Sequence, residues 1–327
     1  MTRPPAEPAA ITVIGEALID LVPGQQPGMF GAFPGGSPYN VAIGLARLGQ
    51  PTTLMARLAD NTFGRLLRDK AAAEGIDLTA APRATQPTTL AVVNLDAEAS
   101  ASYDFYFEGT ADWQWTAGEI AAVPPSTAVL HFGSLASWIP PGDALILGLA
   151  GQLRDRGGVL VSYDPNVRPT LLTDPAAARR LVEAAVAVAH LAKASGDDIE
   201  YLYPGQPAAD VAARWLDLGA RLVVITGSAS GAGAFTATGP VVHRPARPVT
   251  VADTVGAGDS FTAGLLDSLA RQDLHDPVRL AGCPAEALAT ALDDAIMVAS
   301  LNCERQGNDP PTRAEVRAAF QGAGTGA

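Results

Sequence analysis

A glycine-rich turn followed by an acidic residue is the part of this sequence with the clearest chemical meaning. Residues 253–261 read DTVGAGDSF, and a helix-forming stretch follows at 262–271. Gly256 and Gly258 carry no Cβ, so the backbone can approach a ligand closely there. The N–H groups at the start of a helix are unpaired and carry partial positive charge, which suits a phosphoryl group. Asp259 beside such an anion either takes a proton during a reaction or caps the helix, and the spacing alone leaves both readings open.

The overall charge limits how this protein can hold a phosphate. The chain has 327 residues with 22 Lys and Arg against 34 Asp and Glu, a formal net charge of −12. Such a chain lacks the general positive field that attracts nucleic acid or an anionic membrane, so neither is expected as a partner. Phosphate must therefore be held locally, by backbone N–H groups, a helix N-terminus or a metal ion.

The cysteines and the apolar segments indicate where the protein works. Cys283 and Cys303 cannot form a disulfide framework or a CxxC metal site, and they are typical of a reduced, cytosolic protein. The N-terminal region lacks the long apolar core of a signal peptide. The longest apolar stretch, 181–192, is too short to span a bilayer and contains Glu183 and His190. We therefore expect a cytoplasmic protein.

Short β-rich runs alternate with Ala-rich amphipathic runs along most of the chain. Strands are expected at 11–15, 53–58, 128–132, 159–163 and 221–226, and helices at 40–48, 62–74, from about 140, from 174 and at 208–218. This order predicts an α/β fold, a mostly parallel sheet with helices on both faces. No repeat or long linker divides the chain, so residues 1–327 are expected to form a single domain.

Two segments, at about 18–34 and 88–113, break the alternation. The first is rich in Pro and Gly, and the second contains two strand-like runs with Tyr103, Phe105 and Phe107 at alternate positions. They predict a small antiparallel element outside the main sheet, which would serve as a lid.

Four motifs, in order, resemble those of the ribokinase-like (PfkB) carbohydrate kinases. The chain has GGSPYNVA at 35–42 and a DTVGAGD at 253–259 that matches the family's DTxGAGD. It also has DPNVRP at 164–169, which is similar to a motif of fructokinases and 2-keto-3-deoxygluconate kinases, and NCERQGNDPPT at 302–312, which is similar to a fructokinase motif. The resemblance implies a three-layer ribokinase-like fold with a β-lid. It also implies transfer of the γ-phosphate of ATP to a primary hydroxyl of a small sugar.

The resemblance assigns the catalytic and sugar-binding positions. Asp259 matches the general base, and the backbone amides of Gly256, Ala257 and Gly258 match the anion hole. The positions that match sugar-binding residues are Asp20, Gly35, Gly36, Asn40 and Arg168.

The resemblance also assigns the nucleotide and metal positions. The positions that match nucleotide-binding residues are Lys193, Ser195, Thr226, Gly231, Gly258 and Asn302. Asp198 matches a carboxylate that supports Mg²⁺ through water, although Ser195 and Asp198 stand where Asn and Glu are commoner. A monovalent cation, K⁺, is expected at Asp253 with the backbone carbonyls of Val255, Asn302 and Gly307.

The identity of the sugar stays open at this point. The DPNVRP and NCERQGNDPPT motifs favour fructose, but 108–112 stands where fructokinases commonly carry a lid arginine. Tyr39 replaces a small residue and is expected to crowd the pocket. A 2-keto-3-deoxy sugar acid is the main alternative, although Glu108 would repel its carboxylate, and a nucleoside kinase of the same family is another.

Other classes of protein are also weighed. A catalytically silent, sugar-sensing homologue is possible in principle, but the intact Asp259 and its glycines argue against it. The chain has no P-loop GxxxxGK[ST] and no GxGxxG, which argues against P-loop kinases and nicotinamide dehydrogenases. We expect a homodimer joined through the lids, since Tyr103, Phe105 and Phe107 place aromatic area on a sheet with little core of its own.

Overall fold

The computed structural model describes residues 9–26, 28–95 and 101–324. The strands are β1 Ile11–Ile14, β2 Leu18–Pro23, β3 Phe30–Gly35, β4 Thr52–Met55, β5 Leu58–Ala59, β6 Arg83–Ala84, β7 Leu90–Leu95, β8 Ala101–Tyr106, β9 Val129–Gly133, β10 Leu160–Asp164, β11 Leu191–Ser195, β12 Leu222–Thr226, β13 Ala232–Phe235 and β14 Val242–Arg244. The helices are α1 Ser37–Arg47, α2 Thr62–Ala73, α3 Ala117–Ile120, α4 Asp143–Arg156, α5 Pro175–Val188, α6 Gly196–Leu202, α7 Ala208–Asp217, α8 Ala257–Arg271, α9 Pro277–Ala281, α10 Ala285–Cys303 and α11 Arg313–Gly324.

The main sheet has eight strands in the order β14-β13-β12-β11-β10-β9-β1-β4. The six strands from β12 to β4 run parallel, while β13 and β14 add an antiparallel edge. The predicted mostly parallel α/β sheet is therefore confirmed. Within the described residues, no helix is both long and apolar enough to cross a membrane.

Helices cover both faces of this sheet. Neighbouring residues of a strand point to opposite faces, so Val13 packs in one core cluster and Ile14 in the other. The first cluster is completed by α1, α2, α8 and α10, and the second by α4, α5 and α7. The molecule is therefore a three-layer α/β structure, as predicted.

The helix ends follow from local chemistry. Gly49 and Gly75 have positive φ angles of 81° and 76° just after α1 and α2, a conformation that suits glycine at a helix end. Two helices begin earlier than the sequence predicts. α1 begins at Ser37 because Pro38 fits the first turn, and α8 begins at Ala257, so the glycine-rich turn forms the start of the helix itself.

The lid is a four-stranded sheet in the order β3-β2-β7-β8. Its strands fall within the two predicted segments, but the sheet is mixed rather than antiparallel because β2 and β7 run parallel. The end of the second segment, Ala111–Trp113, is a short 3₁₀ helix. Residues 27 and 96–100 of these segments lie outside the described residues.

The strand register decides what each lid face presents. Asp20 pairs with Phe33 and Ala91, and Ala91 pairs with Phe105, so these side chains share one face. Tyr103 follows on the same face, and the three predicted dimer-contact aromatics, Tyr103, Phe105 and Phe107, are half-buried against the second core cluster. Contrary to expectation, they are turned towards the body of the protein.

One buried carboxylate ties the lid to the body. Asp112, only 1% exposed, accepts hydrogen bonds from the N–H of Ala17 at 2.8 Å and from Thr89 Oγ1 at 2.5 Å. Thr89 also bonds Thr110 at 2.6 Å. These residues lie on three of the four chain segments that connect lid and body, so this network fixes the base of the lid.

Candidate active site

The predicted site residues gather where the parallel strands end beneath the lid. Asp164 is the last residue of β10, Ser195 of β11 and Thr226 of β12. The carboxyl ends of parallel strands are the usual place for ligands in such sheets. The lid strand β2 leaves the end of β1 and brings Asp20 over the same edge.

Asp259 lies in the first turn of α8 with a buried carboxyl group. Its Oδ1 accepts from Ser37 Oγ at 2.6 Å and its Oδ2 accepts from Asn40 Nδ2 at 2.8 Å. It makes no side-chain cap to the helix. The Asp259 side chain therefore does not cap the helix, and two donors from α1 hold it instead.

The surroundings of Asp259 adjust its acidity. Burial raises the pKa of Asp259, the donors on Ser37 and Asn40 lower it, and the charge of Asp164 raises it again. The net result is a pKa above the usual range for aspartate. A carboxylate of this kind binds a proton more readily than an exposed one, which is what a general base requires.

The glycine turn beside Asp259 presents free amide donors. Gly256 adopts a left-handed φ of 73°, and the N–H groups of Gly256 and Gly258 have no acceptor among the described residues. The N–H of Ala257 donates to the Thr254 carbonyl at 3.2 Å. Two of the three predicted anion-hole amides are thus free at a helix N-terminus, where an anion is favoured.

Two glycines shape the part of the site that the sequence predicted to face the sugar. A Cβ on Gly35 would collide with the carboxylate of Asp20, and a Cβ on Gly36, whose φ is 101°, would lie 2.7 Å from the carbonyl oxygen of Glu16. Burial raises the pKa of Asp20 to about 7, with Arg168 lowering it and Asp259 raising it. Asp20 and Asp259 therefore lie near enough to interact across one pocket.

Arg168 is turned towards its own loop and towards Asp20. Its Nη1 donates to Asn166 Oδ1 at 2.6 Å and to the carbonyls of Asn166 and Val167. Its charge also acts on Asp20. The guanidinium is thus partly committed within the protein.

Lys193 lies beneath the glycine turn. Its Nζ donates to Asp164 Oδ2 at 2.8 Å and lies 3.5 Å from the carbonyl of Gly258. Burial lowers the Lys193 pKa, but the neighbouring carboxylates, Asp164 first, outweigh burial and leave the pKa raised. The amine therefore carries its charge directly under the proposed phosphate site.

Asp198 is held tightly by its own loop. One carboxylate oxygen accepts from the N–H of Val167 at 2.8 Å, and the other accepts from the N–H and Oγ of Ser195 at 2.8 and 2.7 Å. Among the described residues, no group of three or more His, Cys, Asp or Glu could hold a metal by itself.

The predicted nucleotide loop follows β12. Thr226 pairs in register with Ser195, so the two lie side by side at the sheet edge. Gly231 has a φ of 91°, and a Cβ there would collide with the backbone of 244–246. That close approach is a structural reason for this glycine besides any nucleotide contact.

The predicted cation residues lie together on two adjoining loops. Asp253 accepts from the N–H groups of Val255 at 3.0 Å and Gly307 at 2.9 Å. Asn302, which is 0% exposed, donates from Nδ2 to the Val255 carbonyl at 2.8 Å and accepts from the backbone amide at 309. Both polar atoms of the Asn302 side chain thus join the two loops, which differs from the predicted nucleotide contact.

Tyr39 does not lie where the sequence predicted, and Glu108 does not face the site. Tyr39 is 1% exposed and points away from the site, donating its hydroxyl to the Leu67 carbonyl of α2 at 2.8 Å. It does not crowd the pocket. Glu108 is exposed and lines a surface groove with Leu90 and Tyr106, which lie on the lid face opposite Asp20.

Sequence reasoning assigned no role to three residues that support the site. Ser37 donates to Asp259, and Asn308 donates to Asn40. Thr262 Oγ1 donates to Asp164 Oδ2 at 3.3 Å. Ser37 lies in the GGSPYNVA motif and Asn308 in the NCERQGNDPPT motif. Their polar side chains within these motifs are the signal that could have identified them. Their partners are far away in sequence, so the pairing itself was not visible.

The comparison with known proteins now decides the family. The chain matches the pfkB family carbohydrate kinase profile over residues 9–314. The chain belongs to the pfkB family of carbohydrate kinases. Among pfkB relatives, a fructokinase of Rhizobium leguminosarum bv. trifolii is 34% identical over 288 residues, 86% of each chain. An aminoimidazole riboside kinase of Salmonella typhimurium is 31% identical over 284 residues, again 86% of each.

Solved structures of pfkB kinases share the whole fold. A fructokinase with bound ATP from Xylella fastidiosa superimposes with a TM-score of 0.87 at 26% identity, covering 96% of this chain and 99% of that one. A fructokinase from Vibrio cholerae O395 with fructose, ADP and calcium gives 0.83 at 27% identity, covering 95% and 98%. The protein is thus a carbohydrate kinase with the ribokinase-like fold.

Proposed function

We propose that this carbohydrate kinase transfers the γ-phosphate of ATP to a primary hydroxyl of a neutral sugar, with Asp259 as general base. The observation that carries the proposal is the buried Asp259 carboxylate, held by Ser37 and Asn40 and lying beside free amides at the start of α8. A base and an anion hole in contact are the two parts that phosphoryl transfer to an alcohol needs.

The reaction then proceeds by one displacement. The sugar hydroxyl gives its proton to Asp259, its oxygen forms a bond to the γ-phosphorus, and the bond from that phosphorus to the bridging oxygen of ADP breaks. The amides of Gly256 and Gly258, with Lys193 beneath them, stabilise the charge on the transferring group. The lid excludes water, which would otherwise compete as acceptor.

The charges around the pocket favour a neutral sugar. Asp20 and Asp259 bring two carboxyl groups, and Arg168 is partly committed to its own loop. A 2-keto-3-deoxy sugar acid would add a carboxylate beside these two acidic groups, so it is the less favoured alternative. Fructose is the proposed acceptor, supported by its presence in the related Vibrio cholerae structure. The riboside kinase relative keeps a nucleoside-like acceptor as the second candidate.

Two metal ions complete the proposal. Asp198 would help to hold Mg²⁺ through water, and the ion would supply positive charge that offsets the charge of the ATP phosphates. Asp253 joins two loops by accepting from the N–H groups of Val255 and Gly307. K⁺ would lie beside Asp253, between these loops. It would fix the glycine turn as a structural charge, since the 253–255 segment leads directly into Gly256.

We also propose a cytoplasmic homodimer joined through the lids. The two cysteines are free, which fits a reducing compartment. The lid face opposite Asp20 leaves Phe30 49% and Tyr106 63% exposed, and a partner's lid would cover them. This replaces Tyr103, Phe105 and Phe107 as the basis of the dimer. Light scattering on a Tyr106→Glu, Phe30→Glu variant tests it: the variant should be monomeric, and a monomeric parent would refute it.

A coupled assay of ADP release across a panel of acceptors tests the function. Fructose should give the highest kcat/KM among fructose, 2-keto-3-deoxygluconate, ribose, adenosine and aminoimidazole riboside. Turnover of another acceptor without turnover of fructose would reject fructose and retain the kinase. Binding of sugar without turnover of any acceptor would instead favour the silent, sugar-sensing homologue.

A further inference from the structure

The side chain of Asn308 is linked to the catalytic carboxylate through one intermediate residue. Asn308 Nδ2 donates to Asn40 Oδ1 at 2.9 Å, and Asn40 Nδ2 donates to Asp259 Oδ2 at 2.8 Å. Two hydrogen bonds in series therefore run from the loop after α10 to Asp259. None of the roles assigned above uses Asn308.

The hydrogen-bond types fix which way each amide must point. A carboxylate only accepts, so Asn40 must aim its NH₂ group at Asp259 and its Oδ1 in the opposite direction. The NH₂ group of Asn308 meets that oxygen. If the Asn40 amide were reversed, its oxygen would face the Asp259 carboxylate and its NH₂ group would face the NH₂ group of Asn308. Asn308 therefore reinforces the orientation that the Asp259 carboxylate requires.

The oxygen of the Asn308 amide lies beside the glycine turn. Its Oδ1 is buried without a hydrogen-bond partner among the described residues. It lies against Gly256, where a Cβ would collide with it. Unpaired buried acceptors are uncommon in folded proteins. The Asn308 oxygen has no partner among the described residues, whereas its NH₂ group bonds Asn40. The same side chain contacts Gly256, the first glycine of the proposed anion hole.

We propose that Asn308 is a positioning residue that fixes the amide of Asn40, so that Asn40 donates to Asp259 and keeps the base ionised. The inference rests on the proposed function, in which Asp259 takes the proton of the sugar hydroxyl. Asn308 itself touches neither sugar nor ATP in this assignment. It acts on the base through Asn40.

A positioning role for Asn308 predicts the direction in which the Asp259 pKa changes when Asn308 is lost, and a purely structural role does not. The hydrogen bond from Asn40 lowers the pKa of Asp259, which burial raises. A hydrogen bond to a charged group is worth about one to two pKa units, so a misaligned Asn40 should raise the Asp259 pKa by up to that amount. A base with a higher pKa stays protonated to a higher pH. The acid limb of the kcat–pH profile should therefore move upward.

The test is a double-mutant cycle on the purified full chain, using the best acceptor of the panel. On the acid limb of the profile, Asn308→Ala should lower kcat by about tenfold, which is the full effect of an upward shift of about one pH unit, with little change in the KM of the sugar. Asn40→Ala should have at least that effect. Adding Asn308→Ala to Asn40→Ala should change kcat no further, because the residue through which it acts is missing.

Two further variants separate the hydrogen bond from disturbance of the loop. Asn308→Asp keeps the size but cannot donate when ionised, so it should shift the profile at least as far as Asn308→Ala. Asp309→Ala changes the neighbouring side chain, which pairs with Arg47 at 2.5 Å on the protein surface, and should leave the profile unchanged. An equal shift in Asp309→Ala, or a parental profile in Asn308→Asp, would overturn the inference.

The outcomes also distinguish this inference from the function beneath it. If the parent phosphorylates no acceptor, or if Asp259→Asn keeps the parental kcat, the proposed function fails. If Asp259→Asn is inactive while Asn308→Ala has the parental profile, only the positioning role fails. Full additivity of Asn308→Ala and Asn40→Ala would also refute that role alone. Melting temperatures near the parent's show that each variant is folded.

Discussion

Replacement of Asp259 by Asn removes the proposed base while changing little else. Asn is the same size, and its amide oxygen can accept one of the two hydrogen bonds that Ser37 and Asn40 now donate. The other donor then faces an NH₂ group. Ser37 can resolve that conflict, because a hydroxyl both donates and accepts and can rotate.

The expected size of the effect follows from this arrangement. Loss of general-base catalysis lowers kcat by ~10²–10⁴, which corresponds to roughly 3–5 kcal/mol in the activation free energy. Stability should change far less. Asp259→Asn also removes the cost of burying a charge whose pKa burial has already raised. The melting temperature should therefore stay close to the parent's.

The assay is steady-state turnover with the best acceptor, together with binding of sugar and ATP by calorimetry. Both dissociation constants should stay near the parental values, because Asn preserves the shape of the pocket. Ser37→Ala is the matched control: it removes one partner of the same carboxylate but keeps the base, so it should lose less kcat than Asp259→Asn. A well-folded Asp259→Asn variant that keeps even about a tenth of kcat, with chemistry rate-limiting, would lie outside the general-base range and refute the reasoning.

Three further predictions concern other parts of the molecule. Gly256→Ala should lower kcat at least ~10²-fold, as loss of an anion-hole donor does, because a Cβ at φ 73° would collide with Asn308; parental kinetics would contradict this. Burial raises the pKa of Glu16 from 4.5 to about 7, so its contribution to stability is present below pH 4.5 and is lost as the pH rises through about 7. Glu16→Gln should remove a decline of roughly 2–3 kcal/mol over that window in urea unfolding, and an unchanged slope would refute it. Tyr39→Phe should cost about 1 kcal/mol in stability through the lost bond to Leu67 and leave the sugar KM unchanged; an altered KM would show that Tyr39 reaches the pocket.

The sequence by itself determined the features that depend on neighbouring residues. The alternation of strands and helices predicted the parallel sheet and its three layers, since hydrophobic periodicity is a local property. The glycine turn and Asp259 were identified for the same reason: the proposed anion site and the proposed base lie within four consecutive residues, Gly256 to Asp259. The helix ends at Gly49 and Gly75 follow from one residue each.

Only the tertiary structure decided which side chains meet. Ser37 and Asp259 are 222 residues apart, and Asn308 and Asn40 are 268 apart, so no local pattern contains either pair. The direction of a side chain also changes with small shifts of an element. Successive helical residues point about 100° apart, so the turn of α1 that aims Asn40 at Asp259 aims Tyr39 at α2. In the lid, successive residues alternate between faces. Ala91 pairs with both Asp20 and Phe105, which turned Phe105 to the Asp20 face and left Tyr106 exposed on the other. Those directions are set by packing between distant segments, and packing is decided only when the whole chain is folded.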